Sequence, residues 1–161
     1  MWFLLLWGLG LVTSLFYFLI NGLPNDMSEI SNILLLHQFV VTFGLVGVVG
    51  LLTNLCYADK FAEREGWPGG PFQIKYAFTQ LCLGAMGIMA IWFRGPFWAA
   101  TIVNMYIFGI SGFWTHIHEM VKNKKPDANN VGNIIMNFFY QSFLTILSIL
   151  AGGIWVLGAM S

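Results

Sequence analysis

Charge is what this sequence has least of. Only 9% of its 161 residues are charged, seven Lys and Arg against seven Asp and Glu. A soluble domain carries roughly 25% charged residues, so this chain has too few to coat a watery surface of its size. The even balance leaves no cationic face for phosphates, which excludes nucleic acid as a partner. Cysteine is nearly absent. Cys56 and Cys82 cannot build a disulfide framework, and their apolar surroundings predict small buried packers. Proline is sparse too. Pro24, Pro68, Pro71, Pro96 and Pro126 all fall between apolar stretches, so no stretch carries the broken-helix signature of a coupled transporter.

What remains is apolar. The chain is 58% hydrophobic and 17% aromatic, with mean hydropathy +0.74. A spanning helix needs about 20 mostly apolar residues, and five stretches qualify, at about 2–20, 32–56, 72–93, 96–121 and 132–158. The expected fold is an all-α, multi-pass integral membrane protein. It is one helical-bundle domain over residues 1–161, with five transmembrane helices in the lipid bilayer. The first stretch has no basic leader and no small-residue cleavage site, so it reads as a retained signal anchor. The loop cations are unevenly placed. Lys60, Arg64, Lys75, Lys122, Lys124 and Lys125 fall on one side of a five-span bundle, and Arg94 alone falls on the other. The positive-inside rule then puts the N-terminus in the cytoplasm and the C-terminus outside, in the cell (inner) membrane. Trp2, Trp67, Trp92, Trp98 and Trp155 lie near stretch ends, where amphipathic rings sit at the interface.

Glycines at helical spacing mark close packing. Gly44, Gly47 and Gly50 line one side of the second stretch, Gly84 and Gly87 the third, and Gly109 and Gly112 the fourth. Small residues let helices approach where lipid offers no hydrophobic drive. Glycine faces left uncovered would form the seams of a homo-oligomer.

Polar residues inside apolar stretches are costly and point to function or to polar packing. They gather at the cytoplasmic ends. Asp59 and Glu63 follow the second stretch, and Gln73, Lys75 and Gln80 open the third. His116 and Glu119 close the fourth, and Asn137 and Gln141 open the fifth. Gln80 and Gln141 each lie about two turns in, roughly 12 Å deep. Brought together, these nine residues would form one pocket open to the cytoplasm, for a small ligand, an ion or a lipid headgroup. The competing reading is a wet layer of helix ends that reaches water by snorkelling. His116, Glu119, Asp59 and Glu63 also form an alternative donor set for a metal such as Zn, Mn or Fe. A bis-histidine haem is not expected within one chain, because His37 and His116 differ in depth by roughly 20 Å; the cofactor stays unknown. His37 sits at the depth of Asn104, so a hydrogen-bonded His37–Gln38–Asn104 cluster is expected.

Residues 57–73 are the most distinctive segment. Residues 57–65 suit a short amphipathic interfacial helix, stopped by Gly66. Trp67 and Pro68 make a rigid turn, and Pro71 opens the next helix. With Arg94-Gly95-Pro96-Phe97-Trp98 and His116, this segment resembles a family of small bacterial and archaeal integral membrane proteins of unknown function. That family shows Asp-x-x-Ala-Glu-x-x-Gly-Trp-Pro-x-Gly-Ser-Pro-Phe-Gln, then Arg-Gly-x-Phe-Trp, then Gly-His. The matching positions are Asp59, Ala62, Glu63, Gly66, Trp67, Pro68, Gly70, Pro71, Phe72, Gln73, Arg94, Gly95, Phe97, Trp98 and His116. Lys75 stands where the family carries an acid, and Thr115 replaces the Gly before the His. The bundle is also loosely similar to the four-helix DoxX-like membrane proteins, some of which are linked to quinone redox systems. The resemblance implies a fold and a focus on this loop, and no activity.

The preferred expectation is a non-enzymatic membrane protein that binds or conducts a small ligand through the cytoplasmic-side pocket. The alternatives are a metal- or quinone-linked redox protein and a structural subunit of a larger membrane complex.

Overall fold

The computed structural model describes residues 2–65, 69–123 and 128–155. Among these the chain is all helix: α1 (Trp2–Asn21), α2 (Met27–His37), a π-helical turn (Gln38–Phe43), α3 (Gly44–Cys56), α4 (Ala58–Glu65), α5 (Pro71–Met89), α6 (Pro96–Asn123) and α7 (Ala128–Leu150). Gly66, Trp67, Pro68, Lys124, Lys125, Pro126 and residues 156–158 of the expected last stretch lie outside the described residues.

Among the described residues four helices are long and apolar enough to cross a membrane: Phe3–Asn21, Met27–Cys56, Pro96–Lys122 and Asn130–Leu150. The second runs unbroken through α2, the π turn and α3. At 1.5 Å per residue it is roughly 45 Å long, more than the ~30 Å hydrocarbon core, so it must tilt or project beyond it. The third expected stretch is a helix, α5, but it is not one of these four. Its first half carries Gln73, Lys75 and Gln80, which dilute its apolar content. The faces of the other helices explain what they are built to meet. Leu19 and Ile20 on α1, Ile110 and Trp114 on α6, and Phe139 and Ile149 on α7 are all exposed. A continuous apolar skin of this kind suits lipid and would aggregate in water.

The core lies between α2, the π turn, α3, α5, α6 and α7. It holds Leu35, Phe39, Phe43, Val46, Leu83, Trp98, Ile102, Met105, Tyr140 and Leu144. Glycines set the helix spacing as the sequence predicts. A Cβ built at Gly47 would lie 2.5 Å from Gly84 Cα, so the α3 and α5 backbones touch there. Gly87 faces the Phe39 carbonyl and Gly109 faces Gln141 and Asn137. These glycine faces are covered within the chain, so they are not free to serve as oligomer seams.

Three local expectations change. Trp98 is not at a wet interface. It is 2% exposed, its ring meets Phe39 edge-on at 5.2 Å, and its Nε1 donates to the Ala90 carbonyl at 3.0 Å. The turn before α6 folds the ring inward, and Arg94 stacks on its outer side, 4.5 Å from the ring centroid. Cys56 and Cys82 are exposed rather than buried. Each sits on a helix face turned away from the α3–α5 seam, where a small apolar thiol costs little in lipid. The last helix ends at Leu150, eight residues before the expected stop at 158, because Gly152 and Gly153 take φ of +66° and +68°. Ser28 Oγ and Asn32 Nδ2 then donate to the Ala151 carbonyl at 2.6 and 3.1 Å, tying the end of α7 to the start of α2.

Candidate functional site

Seven of the nine expected site residues fall on two helix pairs, α3–α5 and α6–α7, and the other two, Asp59 and Glu63, fall on α4. On α3–α5, Asn54, Gln73 and Gln80 are all buried. Gln73 Nε2 donates to Asn54 Oδ1 at 2.8 Å, while Asn54 Nδ2 donates to the Gly50 carbonyl at 2.8 Å and to Gln80 Oε1 at 3.4 Å. The α5 register places Gln73 and Gln80 seven residues apart on the face toward α3. Gly50 makes room for Gln80, whose amide oxygen occupies the space a Cβ would take. One acceptor is left over: Gln73 Oε1 is buried and has no hydrogen-bond partner. A buried carbonyl oxygen without a donor costs about 1–3 kcal/mol.

On α6–α7, Asn137 Nδ2 donates to the Gly109 carbonyl at 2.6 Å. Gln141 Nε2 is shared between the Met105 carbonyl and Asn137 Oδ1, both at 3.2 Å. Nearer the helix end, His116 Nδ1 meets Asn130 Oδ1 at 2.6 Å. Glu119 lies one turn further along α6. Asp59 and Glu63 on α4 and Lys75 on α5 are exposed. The structure therefore brings Gln73 and Gln80 together with Asn54, Asn137 together with Gln141, and His116 to Asn130. The acidic pair and Lys75 stand at the surface. α4 itself forms where the loop pattern predicts, with Ala62 turned inward against Gly69.

Among the described residues no three His, Cys, Asp or Glu side chains converge. The alternative set His116, Glu119, Asp59 and Glu63 is not assembled there as a metal centre. The expected His37–Gln38–Asn104 cluster does not form either, because each member has a nearer partner. His37 Nδ1 meets Thr13 Oγ1 at 3.0 Å, and Asn104 Nδ2 meets Met86 Sδ at 3.3 Å. Gln38 Oε1 accepts from Thr42 Oγ1 at 2.8 Å and from Tyr140 Oη at 3.2 Å.

That last trio was missed by sequence reasoning. It sits at the centre of the core on the π-helical turn, a departure from α geometry that often marks functional positions. The only signal for it was Gln38 and Thr42 four apart in an apolar run.

The chain resembles no characterised protein closely enough to lend it an activity. A family model described as "Family of unknown function (DUF6790)" matches residues 1–152. No curated protein and no solved structure matches the chain.

Proposed function

We propose, for a chain that belongs to the DUF6790 family of unknown function, that it is a non-enzymatic membrane protein whose α3–α5 amide cluster binds a small hydrogen-bond donor or cation. The observation that carries this reading is Gln73 Oε1, a fully buried acceptor with nothing to accept from. In hydrocarbon no water offsets such a group, and an ammonium, a hydroxyl or a dehydrated cation would. Asn54 Oδ1 and Gln80 Oε1 lie in the same cluster and add amide dipoles of the same sign. Asp59 and Glu63 on α4 would raise the local concentration of a cation at its mouth, and Lys75 would limit it.

In this reading α5 is a fifth span, polar in its first half because it lines the site. Five spans put six of the seven Lys and Arg on the side of the N-terminus, which supports a cytoplasmic N-terminus, an outside C-terminus and residence in the cell (inner) membrane. His116 and Asn130, with Asn137 and Gln141, form a second polar seam at the same end of the bundle. The whole chain acts as one domain, alone or as a homo-oligomer.

The test uses the full chain in nanodiscs. Thermal stability is followed against ammonium, sodium and potassium chloride for the wild type, Gln73→Leu and Gln73→Glu. A ligand at 100 times its Kd stabilises by about 2.7 kcal/mol. We expect one cation to stabilise the wild type, a stronger effect in Gln73→Glu and none in Gln73→Leu. Equal responses from all three proteins would make the cluster a structural network and overturn the proposal.

A further inference from the structure

A second site lies at the other end of the bundle. The turn before α2 and the turn before α6 meet there around a groove of about 330 Å3, lined by Tyr17, Asp26, Glu29, Asn32, His37 and Arg94 among others. Its volume falls within the range of about 300–1,000 Å3 typical of small-molecule sites. A smaller hollow of about 200 Å3 shares Tyr17, Glu29 and Ile33 with it and extends it toward Pro24.

The groove holds charges of both signs that do not neutralise one another. Among the described residues Glu29 and Arg94 form no ion pair, although they line the same walls. Arg94 is held by its stacking on Trp98 yet stays exposed. Asp26 uses Oδ1 to cap α2 through Ser28 N at 3.2 Å, which leaves its second oxygen. His37 uses Nδ1 on Thr13, and the Tyr17 ring stands edge-on to it at 5.8 Å, so Nε2 remains for the groove. Opposite charges fixed on one groove without contact suit a ligand that bridges them. A simple anion would face Asp26 and Glu29, and a simple cation would face Arg94. A zwitterion with its phosphate on Arg94 and its ammonium on Asp26 and Glu29 satisfies both. Ile33 and Leu36 complete the wall on the apolar side, where acyl chains would continue into the bilayer.

We infer that this groove binds a phosphoethanolamine group, carried by a lipid or free in solution. The site is separate from the α3–α5 cluster and does not depend on it. Native mass spectrometry of the full chain would count adducts of phosphatidylethanolamine and phosphatidylglycerol offered at equal mole fraction. The ethanolamine lipid should be retained about tenfold better, and Glu29→Gln and Arg94→Gln should each remove most of that preference, since each deletes one charge-assisted contact. Gln73→Leu should leave it intact, which keeps this test distinct from the one above. Glu29 is exposed at the helix surface, so Glu29→Gln is a fair probe even if Arg94→Gln unsettles Trp98. Displacement of the lipid by free phosphoethanolamine would identify a water-open headgroup site, and retention of the lipid alone would identify a lipid-borne ligand. Equal adducts of the two lipids, or an unchanged preference in Glu29→Gln, would overturn the inference.

Discussion

The backbone contact between α3 and α5 can be tested directly. A methyl group added at Gly47 would sit 2.5 Å from Gly84 Cα, 2.9 Å from Gly84 N and 3.0 Å from the Gln80 carbonyl. All three atoms are backbone, so no side chain can swing aside. Ordinary contact begins at 3.4 Å, so Gly47→Ala must part α3 and α5 by about 0.9 Å. A radial gap of 0.5–1 Å forfeits about a quarter to a half of each dispersion contact along the seam. Overpacking of this kind costs typically ~1–3 kcal/mol. Gly8 on α1 has nothing within 4 Å of an added Cβ, so Gly8→Ala is the control. It should gain about 0.5–1 kcal/mol from helix propensity alone. Unfolding in mixed detergent micelles, with rising SDS fraction, would read both. If Gly47→Ala falls within about 0.5 kcal/mol of Gly8→Ala, the α3–α5 seam is not the tight contact described, and the geometry of the amide cluster beside it fails too.

Other expectations follow from the same geometry. Asn54→Leu strands both Gln73 Nε2 and Gln80 Oε1 and should cost about 1–3 kcal/mol for each amide group left without a partner, read in the same micelle titration. Trp98→Phe keeps the ring against Phe39 but loses the bond to the Ala90 carbonyl, so it should cost about 1–2 kcal/mol; a stability equal to wild type would mean the indole N–H contributes nothing. Cys82 is exposed midway along α5. In intact vesicles it should resist a sulfonated maleimide, because a thiol in hydrocarbon does not ionise to the reactive thiolate, and rapid labelling by that reagent would remove α5 from the list of spans.

The helices themselves were legible because apolar runs of spanning length have few other uses. The start of α5 at Pro71 and of α6 at Pro96 could be placed to the residue, since a proline fits the first turn and not the next. The end of α7 could not, because two adjacent glycines at positive φ stop a helix that hydropathy alone would continue. Which amides meet was harder still. Depth along each helix follows from counting residues, but azimuth depends on packing. His37, Gln38 and Asn104, expected at one depth, point at different neighbours, Thr13, Tyr140 and Met86. The π turn adds to this. It shifts the helix phase at Gln38–Phe43, so a face projected from the sequence with 3.6-residue spacing turns away from its true direction beyond that point.

One rule ties the two most unusual parts of the composition together. Each cluster of buried amides lies against a glycine on a neighbouring helix. Gln38 and Thr42 fill the notch at Gly10, Gln80 fills the notch at Gly50, and Asn137 and Gln141 fill the notch at Gly109. In lipid, helix association gains little from hydrophobic burial, and a polar side chain must find a partner or pay for its absence. A glycine answers both needs. It removes the bulk that would keep the amide out, and it exposes carbonyls for the amide to reach, as Asn137 of α7 does at Gly109 of α6. None of the three clusters satisfies every amide atom: Gln38 Nε2, Gln73 Oε1 and Gln141 Oε1 are each buried without a hydrogen-bond partner. The orphan at Gln38 is a donor, and those at Gln73 and Gln141 are acceptors. Burial separates the last two. Asn54, Gln73 and Gln80 are all buried, whereas Asn137 and Gln141 are only half-buried. The spare acceptor of the α3–α5 cluster therefore has the least access to any other donor, and that makes it the place to look for a ligand.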